Sequence, residues 1–133
     1  MTASAAFFPM STDVFEITKG ASFDAAHFLP VGPEAHRYRR MHGHSFRVEA
    51  TLRGTADAED GWVADLGELE TALGAAAAAL DHRVLNEQPG LENPTLERLC
   101  LYFAETLKPA FPGLSRIVVA RPSVGESCAL ALG

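Results

Sequence analysis

Two stretches of the chain alternate apolar and polar side chains with the period of a β-strand. In residues 14–28, VFEITKGASFDAAHF, Phe15 and Ile17 fall on one face and Glu16 and Thr18 on the other, a strand-like start. In residues 45–54, SFRVEATLRG, Phe46, Val48, Ala50 and Leu52 alternate with Arg47, Glu49, Thr51 and Arg53, as expected of a strand buried on one face. The period then changes. After the turn chemistry of TADAEDGW, Asp65 precedes Leu66, Leu69, Leu73, Ala76, Ala77 and Leu80 at helical spacing. Glu68 completes an aspartate version of the capping box. The run GAAAAAL favours helix and lets that face pack closely. A second helix is predicted over 95–108, presenting Leu96, Leu99, Phe103 and Leu107 and ending at Pro109. RIVVARP and ESCALAL read as two closing strands joined by a short Ser-Val-Gly turn.

The predicted order is therefore β β α α β β. Strands and helices come in runs, not in alternation, which points to an α+β fold. Four antiparallel strands would form one sheet, with two helices packed on one of its faces. Between the helices, DHRVLNEQPGLENP (81–94) is a long loop with Pro89, Gly90 and Pro94. Ordered loops of this length often carry function.

Composition narrows the classes. A length of 133 residues suits one domain, expected over 14–133, with 1–13 as a loosely held, flexible extension. The formal net charge of −6 argues against a general nucleic-acid binder. Cys100 and Cys128 are far apart in sequence and in no metal-like spacing, so reduced thiols and a cytoplasmic location are expected. No apolar run approaches the roughly 18 residues that span a bilayer, and no membrane partner is expected.

Against this acidic background, HRYRRMHGHSF (36–46) gathers three histidines and three arginines. His42 and His44 are two apart at the entry to a strand. They share a face, with Cβ atoms roughly 7 Å apart. Gly43 between them lets the backbone bend. His27 closes the preceding strand. If the two strands pair as a hairpin, His27 comes to lie beside His42 and His44. Three imidazoles bind zinc at about 2.0–2.1 Å and leave a fourth position for water or substrate. Arg37, Arg39 and Arg40 would make a cationic mouth beside such a site, suited to an anionic ligand.

Taken together, FDAAHFLP, EAHRYRRMHGHSF, GWVADLGELE, LDHRVLNEQPGLENPTLERL and LSRIVV resemble the family of 6-pyruvoyl-tetrahydropterin synthase and 6-carboxytetrahydropterin synthase, along nearly the whole chain from about Val14. The resemblance implies the tunnelling fold and a homohexamer with active sites between subunits. It implies zinc held by His27, His42 and His44, and an Asp81–His82 pair that relays protons. It places Thr95 and Glu97 at the border of a pterin pocket, although helix capping by the Asn93-Pro94 segment explains that stretch equally well. The implied ligand is dihydroneopterin triphosphate or a similar reduced pterin or purine-like molecule.

Two positions depart from the family pattern. The family's catalytic cysteine falls on Tyr38. A free phenol ionises near 10 and a free thiol near 8.5, so Tyr38 is the harder base to ionise. It also fills more space, or can turn its oxygen onto the metal. The family's pterin-anchoring Glu-Thr pair falls on Arg121-Pro122, with Glu126 a few residues on as a substitute anchor. Two readings follow: a zinc-dependent pterin lyase with Tyr38 in the place of the thiol, or a diverged pterin or purine binder that no longer runs the reaction.

Overall fold

The computed structural model describes residues 12–133, so most of the predicted N-terminal extension lies outside the described residues. Four strands, β1 (Phe15–His27), β2 (His42–Gly54), β3 (Leu114–Arg121) and β4 (Glu126–Ala131), form one antiparallel sheet in the order β1-β2-β3-β4. Helices α1 (Leu66–Leu80) and α2 (Leu96–Leu107) sit between β2 and β3 in sequence. This is the α+β arrangement expected from the periodicity. No described helix is long and apolar enough to cross a membrane.

Alternation decides which face is covered. Phe23 and Ala25 of β1, Phe46, Val48, Ala50 and Leu52 of β2, and Ile117 and Val119 of β3 are all buried. They meet Leu69, Leu73 and Leu80 of α1 and Leu99, Phe103 and Leu107 of α2. Each of the larger side chains, Val, Leu, Ile or Phe, contributes about 1.5–3 kcal/mol by leaving water. Phe23 and Phe46 lie opposite each other in the register and stack at 5.0 Å, with Phe103 of α2 5.8 Å from Phe23. The other face carries Glu16, Thr18, Asp24, Ser45, Arg47 and Glu49 and has no helix over it. Thr51 belongs to that polar face yet is buried, its hydroxyl 2.8 Å from that of Thr18.

Both helices start where their caps dictate. The Asp65 carboxylate accepts the Gly67 N–H at 2.7 Å. The Thr95 hydroxyl accepts the Arg98 N–H at 3.2 Å. Thr95 is thus the cap itself, and Asn93-Pro94 precede it. Leu66 differs from expectation in remaining 40% exposed. Helical side chains lean over the preceding turn, and the first helical residue has no preceding turn to cover. The β3–β4 connection is a short 3-10 turn, Pro122–Val124, closed by Gly125 in the left-handed region (φ 69°).

Candidate metal centre and its cleft

Antiparallel pairing sets His27 directly opposite His42. The three histidines continue the inward-facing rows Phe23–Ala25–His27 and His42–His44–Phe46, so they meet at the open end of the core. His27 is fully buried, while His42 and His44 are partly exposed. The ring centroids lie 4.6, 5.0 and 4.8 Å apart. One ring nitrogen from each lies within 4.8 Å of the other two.

Backbone carbonyls determine which nitrogens face inward as acceptors. His42 Nδ1 lies 2.6 Å from the Arg40 carbonyl, and His27 Nδ1 lies 3.3 Å from that of Pro94. A carbonyl only accepts, so each Nδ1 carries its proton. In the neutral rings both Nε2 atoms then hold lone pairs, and these face each other at 3.1 Å. Two acceptors at that distance need a cation or a proton between them. Protonation is opposed. Burial first, then His42, His44 and Arg121, hold the His27 imidazole down to about 4. His44 is also lowered, by burial first, then by Arg121 and His42, with Glu126 opposing. A tetrahedral zinc with bonds of about 2.0–2.1 Å separates its ligand atoms by about 3.4 Å. The donor set and spacing therefore fit a borderline-soft divalent cation, with the two carbonyls orienting the ligands from behind.

A cleft of about 420 Å³ opens over this cluster, lined by Tyr38, His42, His44, Arg121, Val124 and Glu126 among others. Tyr38 lies in a 3-10 turn, Arg37–Arg39, within the β1–β2 connection. It stacks on His36 at 3.8 Å, and its hydroxyl rests against the Gly32 backbone. Gly32 has φ +86°, and a Cβ there would fall 2.0 Å from the phenol oxygen. Tyr38 O accepts from Leu29 N at 2.8 Å, and Arg39 Nη1 donates to Gly32 O at 3.1 Å. Packing thus fixes Tyr38 at the cleft wall with its oxygen backed onto Gly32.

The three arginines divide. Arg37 reaches the cleft, Arg39 ties down Gly32, and Arg40 supplies the carbonyl behind His42. The expected cationic mouth is reduced to Arg37. The stronger cation of the cleft is Arg121, which the sequence marks only as a departure from pattern. Its signal was the inward alternation Ile117, Val119, Arg121. Arg121 and Glu126 are register partners on β3 and β4, with Nε 3.1 Å from Oε1. The Arg121 side chain is 12% exposed and that of Glu126 53%.

Asp81 and His82 occupy a different setting. After α1, residues 81–84 fold back along the edge of β1. His82 N donates to Asp24 O at 2.6 Å, Ala26 N donates to Arg83 O at 2.9 Å, and Ala26 bridges Val84 in parallel. This reversal puts His82 at φ 58°, the one positive φ outside glycine among the described residues. Asp81 Oδ1 accepts the Asp24 N–H at 2.8 Å, and Oδ2 meets His82 Nδ1 at 2.9 Å. The Asp24 N–H first, then His82, hold the Asp81 carboxyl below the usual carboxylate range. A carboxylate on Nδ1 turns Nε2 of His82 outward, and the ring is 80% exposed. It borders a second cleft of about 610 Å³ with Asp24, Ser45, Arg83 and Ser123, sharing only His44 with the first. Thr95 and Glu97 line neither cleft.

The family model described as 6-pyruvoyl tetrahydropterin synthase matches residues 16–130. The chain belongs to this family. It is 38% identical over 109 residues to 6-carboxy-5,6,7,8-tetrahydropterin synthase of Synechocystis sp., covering 77% of this chain and 83% of that protein. It is 33% identical over 93 residues to dihydroneopterin monophosphate aldolase of Pyrococcus furiosus, covering 70% and 75%. Its fold matches that of Caenorhabditis elegans 6-pyruvoyl tetrahydropterin synthase with a TM-score of 0.79 at 22% identity, covering 91% of this chain and 97% of that one. The chain is thus a member of a pterin-processing synthase and aldolase family.

The two cysteines of the chain lie away from both clefts. Cys100 and Cys128 pack together between α2 and β4, the Cys100 Sγ 3.4 Å from the Cys128 carbonyl. Burial, then Cys128, push the Cys100 thiol up to about 12.

Proposed function

We propose that this chain is a zinc-dependent, pterin-processing lyase of the cytoplasm, acting on dihydroneopterin triphosphate or a similar reduced pterin. The observation that carries the reading is the pair of lone-pair-bearing Nε2 atoms facing at 3.1 Å at the foot of a ligand-sized cleft. His27, His42 and His44 would hold the metal. Zinc bound there would polarise oxygen atoms of the pterin side chain as a Lewis acid. Glu126, half exposed in the cleft, offers a carboxylate to the amino and ring N–H donors of the pterin. Tyr38 stands in the place of the family's thiol, and to take the side-chain proton it would have to ionise and turn its oxygen from Gly32 into the cleft.

His82, backed by the Asp81 carboxylate, relays protons through its outward nitrogen. Within one chain it borders a separate cleft, and Thr95 and Glu97 line neither. This supports a homohexamer in which the dyad of one subunit completes the metal cleft of another. Two further features favour such assembly. The sheet has a polar face without helices, and its outer strands β1 and β4 have free edges along much of their length.

The test is to incubate zinc-loaded protein with dihydroneopterin triphosphate and follow triphosphate release and the pterin spectrum. Turnover is expected, reduced by Tyr38→Phe. A folded, zinc-containing protein without turnover would overturn the lyase reading.

A further inference from the structure

We infer that Asn86 is a positioning residue for the histidine cluster. It ties the strand that carries His27 to the loop that carries the Pro94 carbonyl, and so keeps His27 in the tautomer that leaves Nε2 open to a cation. This rests on the metal reading of the cluster and not on which ligand enters the cleft.

Asn86 lies in a 3-10 turn, Leu85–Glu87, seated by the fully buried Leu85. Its carboxamide is engaged at both ends. Oδ1 accepts the Phe28 N–H at 3.0 Å, while Nδ2 donates to Phe28 O at 2.8 Å and to Glu92 O at 3.3 Å. Only one orientation of the amide serves all three, because its oxygen only accepts and its nitrogen only donates. The two Phe28 bonds prolong the pairing of the loop with β1, where Asp24 and Ala26 are already bonded to residues 81–83. Phe28 follows His27 directly, and Glu92 stands two residues before Pro94. Asn86 thus spans from the backbone of His27 to the segment behind its ring.

The consequence falls on the ring proton. A neutral imidazole carries one. On Nδ1 it is accepted by the Pro94 carbonyl at 3.3 Å, and Nε2 turns a lone pair toward His42 Nε2 at 3.1 Å. On Nε2 it would bridge to the His42 lone pair. The two rings would then satisfy each other, and the place of a cation would be closed. His27 is fully buried, so its protein neighbours decide between the two forms. The Pro94 bond is long for an N–H···O contact, whereas the Arg40 carbonyl lies 2.6 Å from His42 Nδ1. A retreat of about 0.3 Å would end it. His27 is therefore the ligand whose tautomer depends on where a loop carbonyl stands. A clamp that merely stabilised the loop would leave the tautomer alone.

The experiment compares the parent protein with Asn86→Asp, Asn86→Ala and Glu92→Ala. Zinc affinity is read by competition with a chromophoric chelator, and the His27 tautomer by NMR of the ring nitrogens in metal-free protein near neutral pH. Asn86→Asp keeps an acceptor for the Phe28 N–H and loses both donations. Glu92→Ala loosens the same loop, removing the carboxylate that accepts the Gly90 N–H at 3.1 Å, and spares the Asn86 bonds. In the parent, His27 should carry its proton on Nδ1. Both Asn86 variants should move it toward Nε2 and weaken zinc by about tenfold or more, the scale of a lost outer partner of a ligand. Glu92→Ala should keep the parent's tautomer and bind zinc within about threefold of it. A tautomer or a zinc affinity that matches the parent's in both Asn86 variants overturns the inference, and so does an equal loss in Glu92→Ala. If the parent takes up no zinc, the metal reading falls, while the tautomer comparison still decides the role of Asn86. If the variants do not fold, the parent decides through hydrogen exchange. Coupling is reciprocal, so zinc should slow exchange of the Phe28 amide, and an unchanged rate overturns the inference.

Discussion

The two histidine sites of this chain are built in opposite ways. His27, His42 and His44 lie at the end of the core, and carbonyls of Arg40 and Pro94 fix the rings of His42 and His27 from behind. All three candidate ligands come from one chain. His82 lies on an exposed edge, in a left-handed backbone conformation, with its ring 80% in solvent. Only its rear nitrogen has a partner, the Asp81 carboxylate. The first site is pre-organised, three imidazoles held on one face at the foot of a cleft. The second is an oriented imidazole whose outer nitrogen faces solvent. Strand pairing makes the first, and a chain reversal after a helix makes the second.

The comparison breaks most easily at the buried site. His42→Ala should abolish stoichiometric zinc, with a loss of about 3 kcal/mol or more in metal binding, roughly one ligand's share of a structural zinc site. Metal analysis after dialysis reads this directly, and retained zinc would mean that the histidines are not the ligands. His82→Ala should instead leave zinc and assembly intact while lowering turnover by about 10²–10⁴-fold. Turnover within a few-fold of the parent would remove the relay role.

Much of the buried site was legible beforehand. His-x-His at a strand entry, plus one histidine closing the preceding strand, fixes three imidazoles on one face once the hairpin pairs, and alternation alone predicts which face. The tautomers were not legible, because they depend on carbonyls supplied by Arg40 and by distant Pro94. Tyr38 was visible as a substitution, but its contact with Gly32 depends on a left-handed turn six residues earlier. Arg121 was missed as a site residue because an arginine immediately before Pro122 reads as the end of a strand, and its partner Glu126 lies across a turn. The dyad was quoted in sequence, yet its separation from the metal cleft appears only when residues 81–84 are seen to run along β1. Leu66 shows the same limit in the core: periodicity gives the face of a helix but not where the cover begins.

Acidity distinguishes the sites further. The His27 imidazole titrates near 4 when folded, against about 6.5 unfolded. The unfolded chain therefore binds the extra proton first, and stability falls as pH drops from about 6.5 to about 4. The loss should reach about 3 kcal/mol in metal-free protein, measured by denaturant unfolding at stepped pH. His27→Gln should flatten that slope, and an unchanged slope would place the titration elsewhere. Gly32→Ala should cost about 1–3 kcal/mol, from the left-handed backbone and from collision with the Tyr38 hydroxyl. Full stability in thermal melts would mean that Tyr38 is free to turn. The smallest effect is a gain: His82→Gly relieves the positive φ and should stabilise the fold by about 1 kcal/mol while removing the imidazole.

The most direct measurement mixes two inactive variants. His42→Ala and His82→Ala are dissociated, reassembled together and assayed with dihydroneopterin triphosphate. If the dyad of one subunit completes the metal cleft of another, random mixing restores both halves in about a quarter of the sites, and turnover returns to about that fraction of the parent's. Mixed oligomers shown by native mass spectrometry to contain both variants, yet without turnover, would contradict a site shared between subunits.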